Sequence, residues 1–265
     1  MKANCFAFVI SLLFFVSCES ENAEPVNTLG SEVELSMSEF IEQDSRTLTL
    51  KFLTLKDFPC INYRIKHQLY MDEQSVRVVL QEVEASDICL DAIGPAAAFV
   101  EIGNLEPKDY NLSIQLGESI INSGTLSVSK ESYQINLAEN QGIQLLNPDL
   151  NRIPQQAVWG QIKFPQSEDY KEFMEFFNST MEVAGASSKK FAEGDYGYFK
   201  VAADGKISQP LNAQEKLVEQ AFLLDFSGDR EDLQMVMQQI NTKYKDVQIR
   251  LYNARGEELR NWDLQ

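Results

Sequence analysis

Histidine is almost absent: His67 is the single one in 265 residues, and that removes most routes to catalysis. A Ser-His-Asp triad would have to use it. It falls in step with Tyr63, Ile65 and Leu69, which reads as a histidine at the edge of a core rather than a base. No G-x-S-x-G elbow, H-E-x-x-H helix or P-loop is present. Basic residues are scarce, 23 against 40 acidic, for a net charge of −17. Phosphate binding needs clustered Lys and Arg, so nucleic acid is excluded as a partner. An acidic surface favours solubility and cationic partners without specifying a fold. Cysteine is limited to four residues. They form no C-x-x-C and have no close His partners, so zinc binding and metal transfer are disfavoured. No cofactor is expected.

What is present begins with a signal-like N-terminus. Lys2 supplies one positive charge, and an apolar stretch runs from Phe6 to Val16, broken only by Ser11. That has the layout of a signal peptide. It falls short of the about 20 apolar residues that span a bilayer. The stretch ends at Phe15-Val16-Ser17-Cys18, which resembles the bacterial lipobox, with Phe15 in place of the usual Leu. The resemblance implies lipid on Cys18 and cleavage before it, hence a membrane partner reached through that lipid. Cleavage would remove Lys2 and no acid, taking the net charge from −17 to −18. The next residues, Glu19-Ser20-Glu21-Asn22-Ala23-Glu24-Pro25, are too polar to build a core and read as a tether. An acidic run after the cysteine is similar to the export signal of some surface lipoproteins. The expected location is an outer membrane, with its periplasmic and surface sides both open. Cys60 and Cys89 are then left as an even pair in an oxidising compartment, and a disulfide between them is expected.

The expected layout is a signal peptide over 1–17, a lipidated tether over 18–30, a β-sandwich over 31–146, a linker over 147–156 and an α+β domain over 157–265. From about residue 31 apolar and polar residues alternate. Thr47–Phe52 does so, as do Val76, Val78 and Leu80, while Ile61 to Met71 reads as one long strand. Many short strands at this spacing predict an antiparallel sandwich. Leu105, Pro107 and Tyr110 resemble the L-x-P-x-x-Y tyrosine corner of Ig-like and fibronectin type III sandwiches. In that motif the Tyr hydroxyl bonds back to the preceding turn. The buried Trp usual in those sandwiches is absent from this region.

Asn147–Pro154 is rich in turn residues. Beyond it the period changes. A strand is expected over Ala157–Phe164, then a helix over Ser167–Ala184, N-capped by Ser167. Strands follow over Gly194–Ala202 and Gln220–Phe226, with Asn212 and Glu215 capping a short turn between them. A second helix spans Gly228–Tyr244, then come a strand over Val247–Asn253 and a final segment at Leu259–Trp262. The order β-α-β-β-α-β predicts a ferredoxin-like α+β domain.

Acidic clusters are the remaining candidates for chemistry. Asp225, Asp229 and Asp232 crowd a strand-to-helix junction, a weak candidate metal site with helix capping as the plainer role. Glu82, Glu84 and Asp87 read as a solvated loop. Phe176 and Val183 lie off the main stripe of the first helix and suit packing or a partner contact. Together these features favour a non-catalytic envelope lipoprotein for binding, assembly or scaffolding, with an envelope protein or glycan as the partner class. Two other functions stay open: a carboxylate-based hydrolase or glycan-processing accessory, with an acidic cleft between domains, and a small-molecule sensor.

Overall fold

The alternating segments do form strands, but they join in an unexpected way. The structure, a computed structural model, describes residues 29, 32–42, 45–103, 105–165, 169–208 and 218–264. The signal stretch, Cys18, the acidic tether, Ser167, Asn212 and Glu215 lie outside those residues.

Ten strands make the largest sheet. They are β1 (Val33–Glu42), β2 (Ser45–Phe58), β3 (Arg64–Met71), β4 (Ser75–Glu84), β5 (Gly94–Gly103), β6 (Asp109–Leu116), β7 (Ile120–Val128), β8 (Ser132–Leu137), β9 (Ile143–Leu145) and β10 (Asp149–Asn151). Their order across the sheet is β10-β8-β7-β6-β4-β3-β5-β2-β1-β9. The pairs β1/β9, β3/β5 and β4/β6 are parallel and the others antiparallel. Side chains alternate across a strand, so Val33, Leu35 and Met37 of β1 and Leu48, Leu50 and Phe52 of β2 enter one core. Val76, Val78 and Leu80 of β4 join them from across the sheet.

Three further groups complete the chain. β11 (Ala157–Phe164), β12 (Ala186–Ser187), β16 (Val218–Phe226), β17 (Gln248–Asn253) and β18 (Glu258–Arg260) form an antiparallel sheet of order β12-β16-β11-β17-β18. Helices α1 (Tyr170–Val183) and α2 (Arg230–Lys243) cover one face through Phe173, Phe177, Met181, Leu233, Val236 and Ile240. β13 (Gly194–Asp195), β14 (Lys200–Val201) and β15 (Ile207–Ser208) make a small separate sheet. Trp159, the bulkiest fully buried side chain, anchors a junction core with Ile41, Ile153, Phe191, Tyr196 and Phe199.

The expected fold class is corrected on both counts. Among the described residues strand makes up 52% and helix 15%, with two α-helices, so the described body is mostly β. One curled, mixed, ten-stranded sheet dominates, instead of an all-antiparallel Ig or fibronectin sandwich followed by a ferredoxin-like domain. The body is β-sandwich-like only in the coarse sense that curling folds the sheet around a core. Period-two patterning identifies a strand's buried face but not its neighbours, and the parallel pairs were invisible to it. Gly194–Ala202 also fails as one strand. Asp195 accepts a hydrogen bond from the Gly197 amide, Gly197 sits at φ +82°, and the chain turns back on itself between β13 and β14. A Cβ at Gly197 would lie 3.0 Å from Ser38, so this turn is also pressed against β1. The 147–156 stretch contains β10, which pairs with β8, so it extends the sheet as well as leading out of it.

Candidate functional site

Sheet register defines two ends of the ten-stranded body. Phe58 pairs with Gly94, Arg64 with Glu84, Leu80 with Leu116 and Val33 with Thr54. These pairs lie towards one end, which also holds the loop from Ala85 to Ile93 and the turn at Gly117. Ile41, Arg46, Tyr133 and Asn151 lie towards the other, where the chain passes into β11.

The loop end carries the expected disulfide. Cys60 and Cys89 are bonded across a separation of 29 residues, with their Cα atoms 5.3 Å apart. The Asn62 side chain reinforces the staple. Its amide donates to the Ile88 carbonyl at 2.6 Å and its oxygen accepts from the Leu90 amide at 3.1 Å. Ile61 lies over Gly94, where a Cβ would come within 3.0 Å of it. Ile61 is 52% exposed, Ile88 74%, Leu90 56% and Ile93 77%. Single exposed aliphatics are ordinary, but a contiguous group marks an interaction surface. Covering each would contribute on the order of 1–2 kcal/mol at roughly 25 cal/mol per Å². The staple limits the loop's freedom, which lowers the ordering cost of binding.

Charges surround this patch. Asp87 and Asp91 lie exposed within the loop. Lys66 bonds Glu82 and Glu84, each at 3.2 Å, and these bonds raise its pKa. Glu82 and Glu84 therefore fix a strand-face lysine, and the loop proper starts after them. Beside it an open cleft of ≈ 870 Å³ is lined by Leu29, Gln81, Leu116, Gly117 and Ile120. The chain thus enters the described body at the same end as the apolar loop.

The opposite end holds a buried ionic cluster. Glu39 is fully buried on the otherwise apolar face of β1. It accepts from Arg46 at 2.8 Å, Arg152 at 2.9 Å, the Tyr133 hydroxyl at 2.8 Å and the Ile153 amide at 2.9 Å. Burial, and then the charge of Glu39, push the Tyr133 pKa above its ordinary 10.0. The Asn147 side chain bonds both the amide and the carbonyl of Met37, as a neighbouring strand would. These contacts tie β1 to β8 and to the residues flanking β10, from opposite sides of the sheet order.

The other sequence candidates are dispersed. Tyr110 accepts from the Glu106 amide at 3.0 Å and donates to the Glu106 carbonyl at 3.3 Å, and Leu105 packs against the core. Pro107 lies in the bend between β5 and β6. Asp229 and Asp232 form a capping box on α2, each side chain bonding the other's amide. Asp225 faces Lys189 at 3.8 Å. Among the described residues no three His, Cys, Asp or Glu side chains are grouped to hold a metal ion. His67 is exposed, because a bulge between Ile65 and His67 breaks the face it was expected to share. Phe176 packs on Tyr244, with its ring centroid 5.5 Å away, while Val183 is exposed. Asp229 lines a cleft of ≈ 360 Å³ between Ile41 and α2, where Arg230 and Arg255 offset its charge and that of Glu257.

Comparison with known proteins finds no matching family model, curated protein or solved structure. The staple itself fits an oxidising, extracytoplasmic compartment. Among the described residues no helix is long and apolar enough to cross a membrane.

Proposed function

We propose that this protein is a cell-envelope lipoprotein, anchored through Cys18, whose role is non-catalytic binding at the stapled apolar loop. The observation that carries the reading is the set Ile61, Ile88, Leu90 and Ile93, held exposed by the Cys60–Cys89 bond. A core residue loses that exposure on folding. These four keep it, three on the 85–93 loop and Ile61 beside it, with the disulfide in place before any partner arrives. Two acyl chains suffice for firm attachment, at about 0.8 kcal/mol per buried CH₂.

A carboxylate-based hydrolase predicts a carboxylate with a raised pKa, and among the described residues the carboxylates that shift move the other way. Hydrogen bonds from Ser75, Lys206 and Arg260 lower Asp72, Asp204 and Glu258 respectively. The reading is tested with a photo-crosslinking residue at Ile93 and, as a control, at Val183 on α1. In the intact envelope, adducts should form from position 93 and not from 183. Equal labelling at the two positions would remove the loop from its assigned role. Anchoring is tested separately: Cys18→Ala should abolish acyl labelling and release the protein from membranes.

A further inference from the structure

The occupant of the apolar loop follows from where the chain enters the body. Leu29 sits beside Gln81, Leu116, Gly117 and Ile120, and the Glu32 carbonyl accepts from the Leu55 amide. Both contacts lie at the end that holds Ile61, Ile88, Leu90 and Ile93. Eleven residue steps separate Cys18 from Leu29. A fully extended chain gains at most about 3.3–3.6 Å per residue, so this span cannot exceed about 40 Å. An anchor at Cys18 therefore keeps this end of the body within that distance of the lipid. The effective concentration of bilayer at the loop stays permanently high, and a weak contact becomes a populated one.

We infer that Ile88, Leu90 and Ile93, with Ile61 behind them, insert into the interfacial zone of the same bilayer that holds the lipid on Cys18. The inference rests on the anchoring reading above and adds a second, non-covalent membrane contact to it. The chemistry of the loop suits lipid. Its exposed apolar groups are aliphatic, side chains that gain directly from leaving water for hydrocarbon. Shallow burial of such groups is how proteins sit on a membrane surface. The surrounding acids select among bilayers. Asp87 and Asp91 lie in the loop, so anionic headgroups repel it and a zwitterionic surface is the preferred one. α1 and α2 belong to the part of the chain that follows β10, and the start of α2 lies beside Ile41, at the other end of the body.

The experiment uses the full lipidated protein reconstituted in phosphatidylcholine vesicles. Ile93→Trp supplies a depth probe in the loop, and Val183→Trp supplies a control. Phosphatidylcholine brominated near the headgroup is the quencher, and each signal is read as a difference from the parent protein, which carries Trp159 and Trp262. The loop probe should shift to the blue and lose on the order of half its emission, with the control unchanged. Replacing a third of the lipid with phosphatidylglycerol should weaken the quenching. Ile88→Asp in the Ile93→Trp background should abolish it while the protein still floats with the vesicles. Flotation without quenching of the loop probe would overturn the inference and leave the anchor standing. Failure to float would remove the anchor and the inference together. Crosslinking from position 93 to a protein, with no lipid quenching, would assign the loop to a protein partner instead.

Discussion

The two ends of the ten-stranded sheet hold themselves in opposite ways. At one, the buried carboxylate of Glu39 is enclosed by Arg46, Arg152, Tyr133 and a backbone amide. At the other, a covalent bond keeps aliphatic side chains turned outward. The ionic end ties opposite sides of the sheet order together beside the junction with the rest of the chain. Among the described residues the stapled end has no such partner. A fold that buries a carboxylate at one end and exposes four aliphatics at the other assigns closure to the first and contact to the second.

The comparison is broken most severely at Glu39. Glu39→Ala leaves two guanidinium groups, a tyrosine hydroxyl and an amide without their acceptor, and should cost about 3–5 kcal/mol in urea unfolding. A loss under about 1 kcal/mol would mean that the cluster does not close the sheet. Next comes the staple. Cys60→Ser with Cys89→Ser should cost roughly 3–4 kcal/mol and open the 85–93 loop to proteolysis, leaving the Glu39 end protected. Asp229→Ala, which removes one half of the α2 capping box, should cost ~1 kcal/mol whether or not divalent ions are present. A metal-dependent cost would restore the acidic cluster as a binding site.

Alkaline pH sharpens the contrast further. The folded pKa of Tyr133 lies above the unfolded value of 10.0, so its contribution is fully present below about pH 10 and fades as pH rises towards the folded value. Tyr133→Phe should flatten that part of the stability profile, and a loop variant should not. The smallest effect on stability belongs to the loop. Ile88→Asp with Ile93→Asp should change unfolding by no more than about 0.5 kcal/mol per site, since both side chains are already exposed.

Much of this was legible in the sequence where a feature is local. β11 has its expected bounds, and both helices follow their apolar stripes to within a few residues, because one face of each is buried. The disulfide followed from cysteine parity. Strand neighbours were not legible, because alternation is the same in parallel and antiparallel pairs. Glu39 had a signal that went unused: it shares the β1 face with Val33, Leu35, Met37 and Ile41, and a carboxylate there needs buried cations. The apolar loop had a weaker one. Ile61, Ile88 and Leu90 flank the two cysteines, but the residues of a core strand look no different. Only the fold shows that nothing in the described molecule covers them.

Amide hydrogen exchange of the lipidated protein, bound to phosphatidylcholine vesicles and then held in detergent, tests the central claim most directly. Two opposed ends, with the stapled one against the membrane, predict slower exchange on vesicles in residues 85–93 and around Gly117, and no change in α1, α2 or the strands near Glu39. Protection centred on α1 and α2, or none at all in the loop, would contradict it.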